Sequence, residues 1–165
     1  MPFFPCMEPM EPYEPSEDEL LALLSHPAET VRRSATRALW ELWFAEKGQD
    51  GLEVFDRAGE LVDQGAYTHA DALLTELIRR YPDFAEAYNQ RAIVRFRQSR
   101  YRDALSDCEE VVKRKPWHFG AWHGKGLCHR YMKEIALAIE SLRRSLEVQP
   151  YAIRRDLDEC LAMLN

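Results

Sequence analysis

Residues 85–116 read AEAYNQRAIVRFRQSRYRDALSDCEEVVKRKP, and residues 119–150 read FGAWHGKGLCHRYMKEIALAIESLRRSLEVQP. Laid over each other they need no gap. Ala104 falls on Ala138, and Pro116 falls on Pro150. Residues 51–82, GLEVFDRAGELVDQGAYTHADALLTELIRRYP, extend the pattern backward with Ala70 and Pro82. The interval is 34 residues throughout. A period of this size means stacked copies of one supersecondary unit. It points to an interaction surface and away from a reaction centre.

Each unit reads as two helices joined by a short turn. The turns fall near Gln64-Gly65, Ser99-Arg100 and Lys133-Glu134. In the second helix of each unit, apolar residues recur at steps of three and four. They are Ala70, Leu74 and Leu77, then Ala104, Cys108 and Val111, then Ala138 and Leu142. That spacing puts each set on one helical face. The small alanine lets two helices approach closely, and the proline ends the unit because it cannot continue the helix.

These residues resemble the tetratricopeptide repeat family. Tyr88 and Trp122 stand at the first-helix aromatic, Ala92 and Gly126 at the small residue four places later, and Tyr67 and Tyr101 at the turn aromatic. Departures are Val54 and Ala58 in the first unit and Ile135 in the third. The resemblance implies an all-α fold, an α-α superhelix with capping helices at both ends. It also implies a concave groove lined by the first helix of each unit. The groove positions would be Phe55, Asn89, Gln90, Phe96, Arg97, Gly120, His123, Gly124, Arg130 and Tyr131, with Gly59, Ile93 and Leu127 beside them and Arg154 joining from the last helix. Arginine grips a carboxylate through two hydrogen bonds, so Arg97, Arg130 and Arg154 suit an acidic peptide or a free C-terminus. Gly120 and Gly124 lie one turn apart in a predicted helix, where glycine costs about 1 kcal/mol relative to alanine. A bare strip of this kind suits close approach of a partner helix or of the chain's own N-terminal segment.

The flanks differ from the units. Residues 1–19 are acidic and proline-rich, and Glu-Pro recurs every three residues at Pro9, Pro12 and Pro15. That step matches polyproline II, so an extended solvated tail is expected. Ser16 with Glu19 has the spacing of a capping box. Residues 20–48 read as an N-terminal helical cap over the open end of the array, broken by Gly48 and Gly51. Within them LLSHPAETVRRSATRALWEL resembles one HEAT repeat. Residues 151–165 read as a C-terminal capping helix, apolar on one side through Ile153, Leu157, Leu161 and Leu164.

Net charge is −6 over 165 residues, which argues against indiscriminate binding to nucleic acid. No apolar run approaches the roughly 18 residues of a membrane span. The N-terminus lacks the order of a secretory signal or a transit peptide. A reducing compartment is expected, the cytoplasm first and an organelle interior if a targeting segment was removed. The four cysteines form no CxxC pair and fit no zinc pattern, so they read as small buried hydrophobes. Residues 1–30 hold seven acids and no lysine or arginine, whereas residues 79–133 hold 13 basic and 6 acidic side chains. The asymmetry suggests an acidic partner for the basic half: a protein segment, RNA, or the chain's own tail.

No catalytic constellation emerges. No helical spacing of three or four joins any pair of histidines with an acid ligand set, and phosphate-binding and nucleophile motifs are absent. No metal, cofactor or enzymatic activity is expected, and Asp103, Asp107 and Glu110 read as a charged helix face. In chaperone-binding members of the resembled family, lysine, asparagine and arginine grip an acidic C-terminal tail. The matching places here hold Phe55, Gly59, Gln90, Gly120 and Gly124, which argues against a chaperone tail as ligand. The expected function is a protein-protein interaction module, an adaptor or assembly factor that binds a peptide or helix in the groove. A structural or oligomerisation scaffold with the groove filled by its own N-terminal segment is the alternative. RNA binding through the basic middle stands third.

Overall fold

The computed structural model describes residues 14–164. Most of the expected extended tail, and Cys6 with it, lies outside the described residues. Within them the chain forms nine α-helices: α1 (Glu17–Leu23), α2 (Glu29–Phe44), α3 (Gly48–Asp63), α4 (Tyr67–Arg80), α5 (Ala85–Arg97), α6 (Tyr101–Arg114), α7 (Phe119–Tyr131), α8 (Ile135–Val148) and α9 (Arg154–Ala162). A single 3-10 turn, Ala45–Lys47, joins α2 to α3. Helix α1 begins at Glu17, two residues before the expected end of the tail at residue 19, because Ser16 closes the capping box. Its backbone N–H donates to Glu19 Oε2 at 2.8 Å, and the Glu19 N–H donates back to Ser16 Oγ at 3.3 Å. Of the two expected breaks, Gly48 is real, with φ +61°. Gly51 instead sits buried inside α3, where the ring of Phe84 fills the space in front of it.

The hairpins α3–α4, α5–α6 and α7–α8 are the three units, and their registers repeat. Ala70, Ala104 and Ala138 are wholly buried. Each lets the first helix of its unit lie close against the second. At Gly126 the approach is tighter still: a Cβ there would lie 2.7 Å from Leu142 Cγ. The closing prolines do more than stop a helix. Tyr88 Oη donates to the Pro82 carbonyl at 3.2 Å, and Trp122 Nε1 donates to the Pro116 carbonyl at 2.7 Å. The first-helix aromatic of one unit is thus tied to the end of the unit before it. At the turns, Gly65, Ser99 and Lys133 all adopt positive φ, at 72°, 60° and 67°. Glycine takes that conformation without strain, and serine and lysine do not.

The N-terminal helices do not simply add another layer. Phe44 meets Phe55 of α3, as an end cap would. Farther along α2, Trp43 and Trp40 reach residues before and within α7, and Thr36 accepts a hydrogen bond from Gln149 beyond α8. Arg32 lies over the ring of Tyr151 at 3.9 Å. Helix α2 therefore runs along the array from its first unit to its last. Leu20, Leu24, Ala35, Leu39 and Trp43 form a core there with Phe119.

The anchor of this arrangement is a polar pair inside the core. His118 is 0% exposed and Glu86 1%. His118 Nε2 lies 3.0 Å from Glu86 Oε2, and the Ala121 N–H donates to His118 Nδ1 at 3.0 Å. With Nδ1 accepting, the ring proton sits on Nε2 and is donated to Glu86. The other carboxylate oxygen accepts from Asn89 Nδ2 and Gln90 Nε2, both at 2.8 Å. Trp43 stacks on the imidazole with centroids 4.3 Å apart, and Trp40 meets it edge-on at 5.4 Å. Trp43 Nε1 in turn donates to Glu17, which also accepts from Trp117 Nε1 at 2.9 Å.

Three outcomes are expected in urea unfolding. Glu86→Ala strands three donors, two of them buried, and should cost about 3 kcal/mol, with Glu86→Gln costing less; equal stability of Glu86→Ala and wild type would refute the anchor. Gly126→Ala should lose about 1–2 kcal/mol through its collision with Leu142, despite better helix propensity. Lys133→Gly should gain about 1 kcal/mol by relieving the left-handed backbone.

Candidate functional site

Helices α5 and α7 are the first helices of the second and third units, and they lie side by side. Along α5, Asn89, Ala92, Ile93, Phe96 and Arg97 follow one another at helical spacing, so they share a face. Along α7, Gly120, His123, Gly124 and Leu127 do the same. The two faces border one cavity of about 420 Å³. Cys108 of α6 and Cys128 of α7 line it from below, and Trp40 of α2 joins at the Gly120 end. Asn89 and Arg97 are eight residues apart, so the trough runs about 12 Å along the helices.

Its lining is apolar apart from Asn89, Arg97 and His123. Ile93 is 43% exposed at the open side. Asn89 is buried, and its amide is spent on Glu86. His123 Nε2 sits 2.9 Å from Asp156 Oδ2 of α9. Arg97 is exposed and has no ion-pair or hydrogen-bond partner among the described residues. It is the free cation of the trough, at the end opposite Trp40. Hydrogen bonding with Cys128, and then burial, hold the Cys108 thiol well above its usual range, so it stays protonated and is a poor nucleophile.

Six of the expected groove residues meet here: Asn89, Phe96, Arg97, Gly120, His123 and Gly124. The other five do not. Phe55 packs against Phe44 and Phe84. Gln90 is held by Glu86, so neither it nor Asn89 offers a free amide as expected. Arg130 pairs with Glu159 at 2.7 Å and approaches Asp156 at 3.6 Å, so it clasps α9 and is not a free grip for a carboxylate. Tyr131 stacks on Tyr101 and meets Phe96 edge-on, outside the trough. Arg154 is exposed on α9, also away from it.

Trp40 escapes a reading by unit, because it belongs to the flank. A signal exists all the same: α2 carries a second aromatic stripe, Trp40 and Phe44, beside the core stripe of Leu39 and Trp43. Two apolar stripes on one helix imply two packing partners. The bare strip behaves differently at its two glycines. A Cβ at Gly120 would lie 2.7 Å from Trp40 Cη2, whereas a Cβ at Gly124 would meet Cys108 Sγ at 3.1 Å. The chain's own N-terminal helix thus takes up the space at Gly120. Other expected features shift as well. Asp107 is no solvated face residue. It is buried, held by Arg91 at 2.7 and 3.0 Å and by Arg95 at 2.9 Å.

Among the described residues no helix is long and apolar enough to cross a membrane. They hold no group of three or more histidine, cysteine, aspartate or glutamate side chains placed to bind a metal ion.

Comparison with known proteins places this geometry. A TPR repeat-containing protein of Rhizobium etli is 35% identical over 134 residues, which is 81% of this chain and 66% of that protein. Hsp70-Hsp90 organizing protein 1 of Glycine max is 31% identical over 98 residues, 59% of this chain but 17% of that protein. The chain therefore spans about two thirds of one relative and a small part of the other. Among solved structures, the first TPR of Spaghetti bound to the HSP90 peptide SRMEEVD superposes with a TM-score of 0.66 at 22% identity, covering 68% of this chain and 91% of that one. Such neighbours were solved with chaperone tails in place, so they lend no support to the expectation that a tail is excluded. The tetratricopeptide repeat profile itself matches residues 55–116 and 89–153, more than half of the sequence. This chain belongs to the tetratricopeptide repeat family.

Proposed function

We propose that the protein is an interaction module, an adaptor or assembly factor, and that it binds a partner polypeptide in the trough between α5 and α7. One observation carries the reading: an open apolar trough ends at Arg97, an arginine unpaired among the described residues. Such a site suits an apolar side chain followed by a carboxylate. The apolar part leaves water, and the guanidinium takes the acid through two hydrogen bonds. Catalysis is not part of the proposal. The one histidine of the trough is engaged by Asp156, and the contact with Cys128 and burial keep the Cys108 thiol protonated.

The relatives named above support binding of peptide as the general mode. They do not dictate this ligand, because the family's tail-binding places are filled differently here. Phe55 is packed into the core and Gly120 is covered by Trp40. A specific observation favours part of the scaffold alternative as well, since Trp40 belongs to the chain's own N-terminal half. On this reading the groove is shared: one end is internal and the other is open to a partner.

A random peptide library selected on the full chain tests the reading. Selected peptides should share an apolar residue with an acid at a fixed offset. Ile93→Glu should abolish their binding, and Arg97→Ala should weaken it about tenfold while leaving the melting temperature unchanged. Peptides indifferent to both substitutions would overturn the proposal. Titration with SRMEEVD alongside decides the chaperone-tail question directly.

A further inference from the structure

We infer that Trp40 is a specificity-determining residue of this site, the end wall that sets the size of apolar side chain the trough admits. The inference rests on the reading of the trough as a peptide site. Trp40 lies outside residues 55–153, which the repeat profile matches, so nothing in the family pattern assigns it a role.

The geometry points to the wall in three ways. The indole edge stands where a side chain at position 120 would stand, since Trp40 Cη2 and Cζ2 lie 2.7 and 3.1 Å from the place of a Cβ. Glycine at 120 and tryptophan at 40 are therefore complementary, and any larger residue at 120 would expel the ring. One turn farther, at Gly124, the indole is no longer in contact. The bare strip is half covered and half open, and the boundary is the ring. Finally, the indole is held from behind, edge-on to His118 at 5.4 Å and to Phe119 at 5.4 Å, both beside the fixed Glu86–His118 pair. A wall so backed keeps its position when a ligand presses on it.

The consequence is a trough closed at one end and charged at the other. A ligand cannot run on along the concave face past Gly120. It inserts one apolar side chain against the indole and leaves its acid at Arg97. The occupant is a partner polypeptide of that chemistry, because among the described residues the free charge of the trough is positive and its floor is apolar.

Parallel library selections on wild type, Trp40→Ala and Trp40→Phe test this. Wild type should select a residue of leucine or methionine size at the apolar position. Trp40→Ala should select phenylalanine or tryptophan there, and Trp40→Phe should fall between. The acid at its fixed offset should persist in all three. A peptide with tryptophan at that position should bind Trp40→Ala at least about tenfold better than wild type, the discrimination a shaped apolar pocket provides. Thermal melts show which variants are folded, and Trp40→Phe keeps the test open if Trp40→Ala is not. Binders from wild type with the same consensus from a folded Trp40 variant would overturn the wall and leave the peptide site standing. Failure of wild type to select any binder would overturn both. Competition by a synthetic peptide of residues 1–13, or self-association that selected peptides displace, would assign the trough to the chain itself and overturn the partner.

Discussion

A carboxylate buried without a cation organises this molecule. Glu86 survives inside the core because three donors face it, from His118, Asn89 and Gln90. Taking a carboxylate out of water is costly unless its oxygens are satisfied. The same histidine closes the start of α7 by accepting from Ala121, and it offers its flat face to Trp43. One side chain therefore joins the second unit, the third unit and the N-terminal helices. The dependence is mutual. Without Trp43 and Trp40 above it the pair would meet water, and without the pair Trp43 would lose the ring it stacks on. That is why α2 lies along the array, with contacts from Phe55 to Tyr151, and not across its end.

Much of the basic middle is consumed in the same internal manner. Arg91 and Arg95 hold Asp107, Arg95 and Arg100 hold Asp71, and Lys115 meets Glu46 at 2.8 Å. The acidic partner suggested by the charge asymmetry is in part the chain itself. Lys115 and Trp117 face Glu17 and Glu46 from the N-terminal flank. Arg97 differs from these: among the described residues it has no acid partner, and it lines the trough. Its position beside exposed Ile93 gives the trough a polarity that a bare list of groove positions does not have.

The three units were legible because their physics is local. Alanine at a helix crossing, proline after a last turn and an aromatic at the first turn each act within a few residues, and the interval of 34 repeats them. The turn positions followed too, although Ser99 and Lys133 take the strained conformation that Gly65 takes freely. The site was legible by halves. Phe96, Arg97, His123 and the two glycines lie on helical faces that spacing alone defines. Asn89, Gln90 and Arg130 lie on such faces as well, yet Asn89 and Gln90 are spent on Glu86, which the distant His118 fixes in the core, and Arg130 is spent on Glu159 of α9. Spacing tells which way a side chain points and is silent on what it meets.

Sequence alone determined the helical hairpins, their number and register, and the face each turns inward, since periodicity acts through backbone geometry. Tertiary structure alone decided where the N-terminal helix lies, which polar groups remain free, and that Trp40 closes one end of the trough. Those outcomes depend on contacts between residues such as Trp40 and Gly120, or Glu86 and His118, that share no period. Their partners are chosen by shape and by the need to satisfy buried polar atoms, and both are properties of the assembled core.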